Sequence, residues 1–335
     1  MKNLAIISCF ILLFSCGKLI EPIPASKLGK IEKELAITSF ISPQDSVVWA
    51  FVDITTPIFQ EYPKDQLVDV IVGGTNYGQI KQSIQNAEVV LSNKGQELTL
   101  EFNPETFRYE AIQDTSNPFV REGETYLLTV KSGELEAHAQ TTVPTNVPDF
   151  DISEPDFEIK YSRVSGSGPN GPINDSTQNV TVQFDMNWSD DSNQNRYYLP
   201  GAYLLLADSV FDWRSQSVVY QEKAVGNIYP LLDNESVKKE FTQFRSLYYS
   251  PGIQFRPDRT IITGTLNNVL LKEMAVQLYL IDENMYQWEI SKRNAGQDNP
   301  FAEPNRLFSN VENGLGVFCS ASSKTKIIAL NKRFD

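Results

Sequence analysis

Apolar and polar residues alternate along most of this chain. In the clearest run, Thr177 to Trp188, Val180, Val182, Phe184, Met186 and Trp188 fall on one face, the period-two pattern of a half-buried strand. Leu35, Ile37, Ser39 and Ile41 share a face in the same way, as do Leu98, Leu100 and Phe102. Tyr126, Leu128 and Val130 form another set, followed by Leu135, Ala137, Ala139, Thr141 and Val143. Turn-forming stretches such as Ser42-Pro43-Gln44-Asp45, Asn93-Lys94-Gly95 and Ser132-Gly133 separate these runs. Short strands between turn signals predict a sandwich or barrel.

The expected architecture is mainly β. An immunoglobulin-like or carboxypeptidase-regulatory-like β-sandwich is expected over residues 31–144, and a second β-rich domain with short helical insertions over 145–335. Three prolines between Pro144 and Pro155 mark the junction. The stretch 57–82, with Gly73-Gly74, reads as a long loop or irregular edge, and Ser165 to Ser176 as a Gly/Pro/Asn/Ser loop. Arg196 to Ala207 reads as the partner of the Trp188 strand, and Ile327 to Leu330 as a short closing strand. Val237, Phe241, Phe244 and Tyr248 recur at i, i+4, i+7 and i+11, which predicts a helix near 234–248. Asp282 is placed to cap a second helix over 283–295, with Gly296 as its stop.

The N-terminus departs from alternation. Lys2 precedes an apolar run from Leu4 to Phe14, and small Ser15 stands directly before Cys16. The run is too short for a spanning helix, which needs about 20 apolar residues, but fits a signal h-region. Residues 1–15 therefore read as a lipoprotein signal, Cys16 as the acylated residue, and 16–30 as a tether with Pro22 and Pro24. Two or more acyl chains hold a protein firmly on a bilayer. Cys9 leaves with such a signal, so of the three cysteines only Cys319 remains for the folded part. It sits in an apolar strand-like setting and reads as a small buried hydrophobe.

The 335-residue chain carries a formal net charge of −13 and has no Lys/Arg-rich run. That argues against nucleic acid as a partner. Candidate chemistry is sparse. The single histidine, His138, stands opposite Ala137 and Ala139 in an alternating strand and is expected to face solvent. There is no G-x-S-x-G elbow, P-loop, Rossmann fingerprint or CxxC, and no cofactor is expected. Asp190, Asp191 and Asn193 offer a weak Ca²⁺ loop, but the EF-hand pattern is missing, and a solvated hairpin turn is the plainer interpretation. Asp282 and Glu283 read as helix-start acids. Tyr197, Tyr198, Trp213 and Tyr248 are candidate ligand aromatics, because exposed rings stack on sugars or grip peptides. Core packing is their plainer role.

The C-terminal segment carries a more specific signal. Asn299-Pro300-Phe301-Ala302-Glu303-Pro304 is followed by Phe308-Ser309-Asn310-Val311-Glu312-Asn313-Gly314-Leu315-Gly316-Val317-Phe318. This resembles the end of the Bacteroidota family catalogued as domain of unknown function 4249, whose members show N-P-F-x-E-P and then S-N-I-x-x-G-x-G-I-F. Ala87-x-Val89-x-Leu91, Gly123-x-x-Tyr126-x-Leu128-x-Val130 and Val143-Pro144 fit as well, whereas Cys319-Ser320 stands where many members have glycine. The resemblance implies an outer-membrane lipoprotein encoded beside a TonB-dependent transporter. From it follows the expectation of a non-catalytic accessory or capture protein in nutrient uptake, held by acylated Cys16. The ligand is left open among peptide, glycan and chelate, and the cell surface is expected over the periplasmic face. Phe301, Glu303, Asn310, Gly314 and Gly316 are candidates for a ligand- or partner-contacting loop, with a structural clamp as the plainer role. A surface glycan or peptide hydrolase, or an adhesin-type envelope protein, are the alternatives.

Overall fold

The structure, a computed structural model, describes residues 33–55, 67–72, 75–81, 84–168, 171–190, 192, 194–212, 217–228, 231–233, 237, 241–249, 254–255, 261–262, 269–295 and 307–333. The N-terminal part contributes β1 (Leu35–Ile41), β2 (Val47–Ile54), β3 (Leu67–Val72), β4 (Thr75–Lys81), β5 (Glu88–Asn93), β6 (Gln96–Asn103), β7 (Arg108–Ile112), β8 (Thr125–Ser132) and β9 (Leu135–Thr142). After the junction come β10 (Phe150–Ile152), β11 (Asp156–Gly168), β12 (Gly171–Trp188), β13 (Tyr197–Asp212), β14 (Ser217–Ile228) and β15 (Leu232–Asp233). Next are β16 (Phe241–Tyr249), β17 (Gln254–Phe255), β18 (Ile261–Ile262) and β19 (Val269–Ile281). The chain closes with helix α1 (Glu283–Ala295), β20 (Val311–Glu312) and the 20-residue β21 (Gly314–Arg333).

The fold is mainly β and has two cores. In the first, hydrogen-bonded neighbours run β21-β1-β2-β7-β6-β5-β8-β9-β20. β6 pairs with β5 through Gln96–Leu100 and with β7 through Glu101–Asn103, so the path turns back over itself. Leu35, Ile37, Val48, Val89, Leu128 and Phe318 are buried between its layers. The alternation of β1 appears directly as burial of Leu35, Ile37, Ser39 and Ile41. In the second core, β12 carries Phe184, Met186 and Trp188 against Leu204 of β13 and Met274 and Val276 of β19. The β14-β13-β19-β21 sheet is thus covered by the smaller sheet built on β12.

One strand belongs to both units. Gly314 to Ser320 of β21 pair in parallel with Leu35 to Ile41 of β1. Ala321 to Arg333 then pair antiparallel with β19. Residues 311–320, placed by sequence in the second domain, therefore complete the first sandwich, where they cover what would be an open β1 edge. Where β21 crosses, Val317 to Ser323 are all buried. Its serines keep partners there: Ser322 Oγ donates to Pro144 O at 2.6 Å, and the Ser323 amide donates to Gln44 Oε1 at 3.1 Å. Cys319 is buried as well, which pushes its thiol pKa up.

Several local expectations are corrected. Phe241–Tyr249 is a strand, not part of a helix over 234–248; it pairs with β12 from Val180↔Tyr249 to Trp188↔Phe241. Aromatic and β-branched residues dominate it, and a helical spacing of four apolar positions does not distinguish the two states. Residues 165–168 and 171–176 continue the β11–β12 pairing out to Gly168↔Gly171. Residues 67–72 and 75–81 pair antiparallel as β3 and β4. β13 faces β12 across the core and pairs instead with β14, β15 and β19. The closing strand spans Gly314–Arg333, well beyond 327–330. Helix α1 forms at the expected place, and no helix among the described residues is long and apolar enough to cross a membrane.

Candidate functional site

A cleft of about 600 Å³ opens between the two sandwiches. On the first-sandwich side its wall is Gly123 and the end of β9 with the junction, Gln140 to Thr145. The other wall is the β12–β13 connection, Gln194 to Tyr197, and the β19–α1 corner, Leu280 to Asn284. These segments lie far apart in sequence. They meet because β21 forces β19 and β1 into one continuous sheet.

Asp282 lies at the centre of the corner and is buried. Its Oδ1 accepts the Met285 amide at 2.9 Å, the N-cap bond expected for α1. Oδ2 accepts a short hydrogen bond from Thr141 Oγ1, which also contacts Ser320 Oγ at 2.8 Å. Asn284 Nδ2 donates to Gln140 O at 3.0 Å and Phe318 O at 3.3 Å; Asn310 Nδ2 donates to the same two oxygens at 3.1 and 2.8 Å. The seam between β9 and β21 is thus held by side chains where a backbone ladder is missing. Burial pushes the Asp282 carboxyl up to about 6, against the donors from Thr141, the Met285 and Ser320 amides and Asn284.

Across the cleft, buried Asp190 anchors the other wall. It accepts the Ser192 amide at 2.9 Å, Arg196 Nη1 at 3.0 Å and a short bond from the Tyr198 hydroxyl. Burial alone would raise this carboxyl; the bonds from Tyr198, Ser192 and Arg196 outweigh it and hold the pKa below the ordinary value. Arg196 Nη2 continues to the carbonyls of Thr145 (3.1 Å) and Asn146, tying the junction to the second sandwich. Replacing Arg196 by alanine leaves a buried carboxylate without its cation. The expected loss is about 3 kcal/mol, read as a lower urea midpoint.

The sequence candidates divide accordingly. Tyr197 lines the cleft, its ring stacked on Tyr286 with centroids 3.9 Å apart. Tyr198 is fully buried and meets Trp188 edge-on at 6.1 Å, so it is a core residue and not a ligand platform. Asp190 is committed to its hydrogen-bonded network. Asn310 is the seam residue described above. Gly314 and Gly316 are packing positions: a Cβ on Gly314 would come within 2.6 Å of Leu35 O, and one on Gly316 within 1.9 Å of Ile37 O. His138 is half-exposed beside Thr129 (3.2 Å) and Glu136 (3.4 Å). Cys16, Asp191, Asn193, Trp213, Phe301 and Glu303 lie outside the described residues, and Tyr248 is placed only by its backbone, opposite Thr181. No three His, Cys, Asp or Glu side chains converge as metal ligands among the described residues. Gln140, Arg196 and the Asp282 corner had no sequence signal as a site, since each is an ordinary polar residue until the chain folds.

The side-chain seam and the two glycines account for the Asn310-to-Gly316 part of the C-terminal motif. The model of the family described as domain of unknown function (DUF4249) matches residues 21–327. The chain belongs to that family. No curated protein matches it. Within this DUF4249 protein, Asn310 joins β9 to β21, and Gly314 and Gly316 seat β21 against β1.

Proposed function

We propose that this DUF4249 protein is an outer-membrane lipoprotein, anchored through acylated Cys16, that captures a ligand without chemical conversion beside a TonB-dependent transporter. The interdomain cleft carries this reading. It offers a concave polar site of a size typical for small ligands, ~300–1,000 Å³. Its buried acids are occupied by structure: Asp282 caps α1 and accepts Thr141, and Asp190 behind the wall is bonded to Arg196 and Tyr198. A hydrolase needs two converging carboxyls, and both oxygens of Asp282 are in use. The signal-like N-terminus and the family resemblance support membrane attachment and the transporter partner.

The test is gentle extraction of tagged protein from native membranes. A transporter barrel is expected to co-purify, and Cys16→Ala is expected to move the protein to the soluble fraction. Recovery of monomer alone from intact membranes overturns the proposed partnership. Continued membrane association of the Cys16→Ala protein overturns the anchor.

A further inference from the structure

We propose that the interdomain cleft recognises an uncharged saccharide. The inference rests on the capture reading and names the ligand class. It follows from which groups of the wall remain able to bind.

The main chain is largely spent. Gln140 O accepts from both Asn284 and Asn310. The Val143 amide donates to Glu124 O at 3.0 Å, and Val143 O accepts from Gly123 at 2.8 Å. Thr145 O accepts from Arg196. An extended peptide that added itself as a strand would need these groups, because strand addition draws its affinity from backbone pairing. None of these groups is left for such pairing.

Charge argues the same way. Exposed Glu283 lines the cleft, with buried Asp282 beside it, and repels anions. The only guanidinium of the lining, Arg196, is neutralised by Asp190 and two carbonyl oxygens. The α1 dipole, worth about half a charge at its positive end, offsets these acids only in part, so the cleft disfavours an anionic ligand.

What remains are exposed carboxamides and hydroxyls. Gln140 and Asn195 face the cleft from opposite walls, with exposed Thr142 and Thr145 nearby. Carboxamides and hydroxyls both donate and accept, as sugar hydroxyls do, so donor and acceptor roles match in either direction. The Tyr197 ring, braced by Tyr286, supplies an aromatic wall for the apolar face of a pyranose. Pro144 adds apolar contact.

The experiment uses full-length protein in a sugar-free detergent and titrates neutral trisaccharides: maltotriose, cellotriose, xylotriose, mannotriose and chitotriose. Trialanine, trilysine and trigalacturonate are titrated in parallel. At least one neutral trisaccharide is expected to bind, and Gln140→Ala and Asn195→Ala are each expected to weaken it about tenfold while leaving the melting temperature unchanged. Tyr197→Phe is expected to retain binding that Tyr197→Ala loses. Binding of trialanine or a charged probe, weakened by the same variants, overturns the saccharide class and leaves the capture reading intact. Trisaccharide binding insensitive to the variants overturns the location. Failure of every neutral trisaccharide overturns the proposal, while the capture reading is judged separately by transporter co-purification.

Discussion

Replacing Gly316 by alanine is expected to remove a large part of the stability of this protein. Gly316 has φ +114°, a conformation L side chains rarely adopt, and its added Cβ would lie 1.9 Å from Ile37 O and 3.0 Å from Ile37 N. The backbone conformation alone costs about 1–3 kcal/mol. The contact cannot be relieved by rotating a side chain, because the obstacle is the backbone of β1. β21 must instead lift off β1, which opens the first sandwich and the Asp282 seam together. A total of about 4 kcal/mol or more is expected, against a typical global stability of about 5–15 kcal/mol. In a thermal melt this lowers the midpoint by on the order of 10 °C. Gly201→Ala is the control, since its Cβ meets nothing closer than 3.7 Å. A Gly316→Ala melt that matches the control contradicts the packing assigned to β21.

The second large effect is the dependence of stability on Asp282. Its carboxyl rises from the ordinary 3.8 to about 6 in the fold. A raised carboxyl favours the protonated folded form. The stability it contributes is therefore fully present below pH 3.8 and is lost as pH rises through about 6, by on the order of 3 kcal/mol. Asparagine keeps the N-cap, and its amide can still meet Thr141, but it cannot ionise. The difference in unfolding free energy between Asp282→Asn and the native protein is thus expected to grow in favour of the variant between pH 4 and 7. Asp282→Ala loses the cap and orphans Thr141, so it is expected to be less stable than Asp282→Asn at every pH, by about 1–2 kcal/mol. A constant native-to-Asn difference across that range would show that the buried carboxyl does not titrate as assigned. Taking the difference between variants cancels Asp45, whose carboxyl is also raised by burial.

Much of the β architecture is legible in the sequence because half-buried strands write their two faces as alternation. β1, β8 and β9 do so, and their buried positions are the ones alternation selects. The α1 cap is equally readable, since Asp282 stands directly before Glu283 and acts locally. β21 is not readable in this way. Val317 to Ser323 are buried at every position, so the alternating signal vanishes where the strand matters most. Its serines look like surface residues until Pro144 O and Gln44 appear beside them. The Phe241–Tyr249 strand failed for a different reason, namely that four apolar positions can satisfy a helical spacing by coincidence. The cleft was illegible because Gln140, Asn195 and Asn284 come from three distant segments, and only the shared strand brings them together. The C-terminal glycines stood out by motif, but their purpose lies in the Leu35 and Ile37 carbonyls across the ladder.

The parallel pairing of β1 with β21 also decides how the protein bears mechanical load. An anchor on the N-terminal side pulls β1 out past Leu35. The second sandwich holds β21 beyond Ser320, at the opposite end of the same ladder. Tension applied between the N-terminal side of β1 and the second sandwich therefore shears the Leu35–Ile41 ladder lengthwise, with its hydrogen bonds resisting together, instead of peeling them one after another. β2 grips the other edge of β1 from Leu35↔Ile54 to Phe40↔Trp49, so the strand that takes the pull is clasped on both sides.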